Sequence, residues 1–85
     1  MDKWEITKRI LTNLLLARPE RSITDIANKT GIERSTVSMW FSGRRQISVA
    51  HLMSLAEAYE LSVDYLLYGD GRFLLQKLLR GEEIL

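Results

Sequence analysis

The chain has 85 residues, with twelve Lys and Arg against eleven Asp and Glu, one His and no Cys. That length makes one small domain. The lack of Cys excludes a disulfide framework and a Cys-based metal site, and the run Leu14-Leu15-Leu16 is far short of a membrane span. A net charge of +1 excludes nothing about partners until its distribution is known.

The periodicities predict an all-α chain. Residues 3–17 set Ile6, Ile10, Leu11, Leu14 and Leu15 at helical spacing, and Pro19 marks a break. Asp2, Lys3 and Glu5 precede any apolar periodicity, which is unlike a secretory signal, so a soluble, cytoplasmic protein without a membrane partner is expected. Ser22 is the N-cap expected for a second helix, with Asp25 as a weak capping-box partner. Gly31 supplies the positive φ of a tight turn, and Ala27 is small where two helices must cross. A third helix starts near Arg34, poorly capped by Glu33, and ends with Gly43 at C′. Ser48 caps a fourth helix whose Val49, Leu52, Met53, Leu55, Ala56 and Tyr59 form one wide apolar face. Ser62 caps a short fifth helix through Leu67, stopped by Gly69. A sixth helix is predicted over residues 72–80, between Gly71 and Gly81. Trp4 and Trp40 are expected in the core, and Phe41 in the core or an interface.

Two short helices joined at Gly31, with Ile26, Ile32, Val37 and Trp40 as the apolar positions that lock them to the domain, meet the specification of a DNA-binding helix-turn-helix. The charge distribution agrees. Residues 1–17 carry a balance of +1, residues 18–46 one of +3, and residues 47–85 one of −3. Positive charge therefore sits on the helix-turn-helix, and a dipolar domain of this kind orients toward a phosphate backbone without being basic overall.

Residues 22–69 resemble the helix-turn-helix domain of the phage lambda repressor and Cro family, also called the XRE family. The resemblance is carried by Ile26-Ala27, Gly31-Ile32, Ser35-Thr36-Val37-Ser38, Trp40-Phe41-Ser42-Gly43-Arg44-Arg45 and the block Leu55-Ala56-Glu57-Ala58-Tyr59-Glu60-Leu61-Ser62-Val63-Asp64-Tyr65-Leu66-Leu67. It implies a five-helix bundle over residues 1–69 acting as the DNA-binding domain; many members carry a longer C-terminal domain, and here a helical extension over 70–85 follows instead. It also implies a transcriptional regulator, of repressor type in phage or bacteria, that occupies a palindromic operator as a dimer. Ile23 stands where many members have a Gln that touches a phosphate.

Helix geometry then assigns roles. A helix entering the major groove N-terminus first presents its opening residues, and those one turn later, to base edges. These are Arg34, Ser35, Ser38 and Met39. Arg34 is the candidate for a bidentate guanine contact, Ser35 is a donor or acceptor to several bases, and Met39 either packs on a thymine methyl or fills the helix edge. Thr36, Arg44, Arg45 and Gln46 are expected to hold phosphates. Cations near a helix C-terminus are also favoured by its dipole, but Arg44 and Arg45 follow the helix that enters the groove.

No catalytic constellation is apparent. His51 is the one histidine, in the first turn of the fourth helix, and no Gly-rich phosphate loop follows a strand, so neither an enzyme nor a cofactor site is expected. The competing function is a protein-interaction module of antitoxin or anti-repressor type, since fold alone does not settle function. Phe73, Leu74, Leu75, Leu78 and Leu79 form an apolar stripe that is expected to make a homodimer interface, with completion of the monomer core as the alternative.

Overall fold

The computed structural model describes residues 3–19, 22–69, 79 and 81. Five helices follow one another: α1 (Lys3–Ala17), α2 (Ile23–Thr30), α3 (Arg34–Phe41), α4 (Val49–Ala58) and α5 (Val63–Tyr68). The chain is all-α, as its periodicities predict, and no strand occurs among the described residues. The expected sixth helix, with Phe73, Leu74, Leu75 and Leu78, lies outside the described residues. Leu79 is described, helical and exposed.

Local chemistry sets the helix ends. Ser22, Ser48 and Ser62 sit at N-caps in extended backbone, and each hydroxyl accepts from the amide three residues on, those of Asp25 at 3.2 Å, His51 at 3.1 Å and Tyr65 at 2.9 Å. Each such cap stabilises its helix by about 1 kcal/mol. Glu33 makes no side-chain cap bond, so α3 starts without one. α4 ends on a left-handed residue that is not glycine: Glu60 has φ 54°, and the amides of Glu60 and Leu61 return to the carbonyls of Glu57 and Ala56.

The core gathers one stripe from each helix. Ile10, Leu11 and Leu14 come from α1, Ile26 from α2, Val37 and Trp40 from α3, Leu52, Leu55 and Ala56 from α4, and Leu66 from α5. α1 packs chiefly on α5, and α2 on α3.

Several apolar side chains of α1 and α4 are exposed. Trp4 is 38% exposed, because it lies in the first turn of α1, beyond the stripe that meets the core. The buried face of α1 runs Thr7, Ile10, Leu11, Leu14, which leaves Ile6 and Leu15 at its flanks, each 40% exposed. On α4 the buried set is Leu52, Leu55, Ala56 and Tyr59, again one helical stripe. Val49 precedes it by a turn and Met53 points about 100° away from Leu52, so both are exposed.

Tyr59, at the end of α4, joins three parts of the bundle. Its hydroxyl donates to Asp25 Oδ2 on α2 at 2.6 Å, and Lys29 Nζ lies 5.0 Å from its ring centroid. Arg18 Nη2, just after α1, donates to its carbonyl at 2.8 Å. Asp25 is thus used across the fold rather than as a capping-box partner. Elsewhere on α1, Asn13 Nδ2 donates to Leu66 O at 2.8 Å and ties α1 to α5.

Candidate nucleic-acid interface

The presentation of α3 begins at its turn. Gly31 closes α2 with φ 75°, its amide donating to Ala27 O at 2.9 Å, a conformation open to glycine with little strain. Thr30 Oγ1 donates to Ile26 O at 2.6 Å and accepts from the Ile32 amide at 3.1 Å, so the turn is braced from within. Val37 and Trp40 are fully buried and fix which way α3 faces. The indole of Trp40 also meets the His51 ring, with centroids 5.5 Å apart, which accounts for His51 as a packing residue. Trp40 Nε1 has no hydrogen-bond partner.

That anchoring turns Arg34, Ser35, Ser38 and Met39 outward together, all four exposed on one face of α3. Thr36 departs from its expected role. It is 8% exposed, because it shares the inward face with Val37 and, one turn on, Trp40. Its side chain therefore packs against the bundle and offers a phosphate less surface than Arg44, Arg45 or Gln46.

The loop after α3 is organised from two sides. Gly43, φ 77°, puts the chain into a left-handed turn, with the amides of Gly43 and Arg44 returning to Trp40 O at 3.3 Å and Met39 O at 2.9 Å. At the far end, the Ile47 amide donates to Thr7 Oγ1 of α1 at 3.0 Å, and Thr7 is buried to hold it. Between these points Arg44, Arg45 and Gln46 are exposed and border a hollow of about 130 Å³ that Gly43 and Trp4 also line. Among the described residues no carboxylate lines the hollow. Its donors suit an anion, since guanidinium groups offer a planar fork that matches phosphate oxygens.

Sequence reasoning missed Trp4 here. Lys8 Nζ lies 5.2 Å from the Trp4 ring centroid, a cation placed over the aromatic face one turn on. The spacing of the two is visible in the sequence, but nothing local links Trp4 to a loop that follows two further helices. Among the described residues no His, Cys, Asp and Glu cluster to hold a metal ion, and no helix is long and apolar enough to cross a membrane.

A family model described as helix-turn-helix matches residues 16–66, which run from the end of α1 into α5 and cover the whole recognition unit. No curated protein and no solved structure matches the chain. With a buried Val37 and Trp40 behind α3, a glycine turn before it and the family match over most of its length, the chain belongs to the lambda repressor-like (XRE) helix-turn-helix family, whose members are DNA-binding transcription regulators and typically not enzymes.

Proposed function

We propose that this protein reads a specific double-stranded DNA sequence through α3 and acts as a homodimeric repressor on a palindromic operator in a phage or bacterial cytoplasm. The observation that carries this reading is the division of α3: one face is locked into the core by Val37 and Trp40, and the other offers Arg34, Ser35, Ser38 and Met39 to solvent. Arg34 reads a guanine through O6 and N7, Ser35 and Ser38 offer hydroxyls to neighbouring bases, and Met39 meets a thymine methyl. Arg44, Arg45 and Gln46 hold the backbone and set the register. Twofold symmetry puts two copies of α3 about 34 Å apart on successive major grooves. The stripe formed by Phe73, Leu74, Leu75, Leu78 and Leu79 is the proposed dimer contact.

Selection of bound sequences from a random duplex pool tests the reading, since a palindromic consensus is expected and an unenriched pool rejects specificity. On the selected site, Arg34→Ala is expected to lose about 1–3 kcal/mol per half-site, and far less on random duplex. Arg44→Ala with Arg45→Ala weakens both duplexes alike and lowers the log–log salt slope by about 0.9 for each phosphate no longer neutralised. A double variant that binds as wild type at every salt concentration removes the loop from the interface.

A further inference from the structure

Trp4 lies outside the span matched by the family, yet it walls the hollow beside the basic loop. Its indole is laid directly on the bare Cα of Gly43: a Cβ built there would run into Nε1 and stand 2.6 Å from Cε2. The contact therefore needs both the tryptophan and the absence of a side chain at Gly43. One turn along α1, Lys8 holds its ammonium over the same ring, and Thr7 grips the loop at Ile47. α1 thus holds residues 43–47 at both ends, through Trp4 on Gly43 and Thr7 on Ile47.

The hollow, about 130 Å³, has room for one small anionic group. Its described walls carry the guanidinium groups of Arg44 and Arg45, the carboxamide of Gln46 and an indole edge. These are donors on a semi-rigid frame, the chemistry that captures a phosphate oxygen.

We infer that the hollow bounded by Trp4, Gly43, Arg44, Arg45 and Gln46 is the seat of one backbone phosphodiester of the duplex, with Trp4 as the positioning residue that shapes it. This rests on the proposed DNA-binding reading and adds α1 to the interface. Trp4 acts through the loop: without the ring on Gly43, Arg44 and Arg45 sample more orientations and lose part of their shared grip on the phosphate.

Quenching and binding on the full chain test it. Trp40 is wholly buried, so acrylamide-accessible emission belongs to Trp4, and Trp4→Phe supplies the blank. Random-sequence duplex is expected to shield Trp4 from acrylamide, whereas inorganic phosphate does so no better than chloride at equal ionic strength. Trp4→Ala is expected to weaken binding to operator and random duplex alike by about tenfold, and Trp4→Phe, which keeps a ring over Gly43, by no more than about threefold. Far-UV dichroism establishes that each variant is folded, and the wild-type quenching result stands whether or not Trp4→Ala folds. Unchanged quenching on saturation with duplex overturns the seat, as does shielding by inorganic phosphate alone. Wild-type affinity in a folded Trp4→Ala also overturns it: if the Arg44 and Arg45 variants are still weakened, the loop remains a clamp without Trp4, and if they are not, the DNA-binding reading of the loop falls with it.

Discussion

α3 is bounded by two left-handed glycines that look alike in backbone and differ in what surrounds them. Gly31, before the helix, has φ 75°, and a Cβ there would meet nothing within 4 Å. Gly43, after it, has φ 77° and the Trp4 indole lying across it. The entry turn asks only for conformational freedom, a property of one residue. The exit turn asks for that freedom and for empty space filled from the far end of α1. One end of the recognition helix is thus set locally, and the other by tertiary contact.

The largest expected effect probes the exit turn. Gly43→Ala should cost about 2–5 kcal/mol, combining the strain of a left-handed alanine with the displacement of an indole. In a Trp4→Ala background the displacement disappears, and the cost should fall to about 1–2 kcal/mol. Denaturant unfolding of the wild type, both single variants and the double variant measures the difference, and equal costs in both backgrounds would erase the distinction between the two glycines. Thr7→Val comes next. It keeps the shape but leaves the Ile47 amide without its acceptor, at a cost of about 1–3 kcal/mol, and amide exchange at Ile47 should quicken. Unaltered exchange would mean that the loop is not held from that side.

Gly31→Ala should cost about 1–2 kcal/mol, with the same value whether or not Trp4 is present, and Gly31→Asn less, since Asn enters the left-handed region more readily. A dependence on Trp4 would show the entry turn to be less local than its open surroundings indicate. The smallest effect concerns Glu60, a left-handed position held by a residue with a Cβ. Glu60→Gly is expected to raise stability by no more than about 1 kcal/mol in thermal unfolding. A loss instead would mean that the Glu60 side chain contributes more than its backbone strain costs.

The same division explains what is legible in the sequence. Ser22, Ser48 and Ser62 as caps, Gly31 and Gly43 as stops, and Val37 and Trp40 as anchors all follow from short-range chemistry, and each occupies its expected place. Trp4 escapes such reasoning because hydropathy alone sends a tryptophan inward, whereas its partner is a loop glycine distant in sequence. Thr7 and Thr36 escape it for one shared reason: a small hydroxyl reads as a surface group until a backbone amide or a core helix is known to face it. Asp25 and Tyr59 illustrate the limit from the other side, since a pair bonded at 2.6 Å across two helices leaves no periodic mark. The outward residues Arg34, Ser35, Ser38 and Met39 are within reach because they are simply what remains when the anchors are known.

The joint at Tyr59 bears on the thermodynamics of association. With its hydroxyl on α2, its own backbone at the close of α4 and its carbonyl held by Arg18, it ties α2 and α4 to the end of α1. A duplex then meets a scaffold whose main chain is already arranged, and the ordering left to complete on contact is that of long exposed side chains. On the proposed reading, immobilising each of Arg34, Arg44 and Arg45 costs about 0.5–1.5 kcal/mol, a penalty confined to rotamers and far smaller than that of folding a segment against its target.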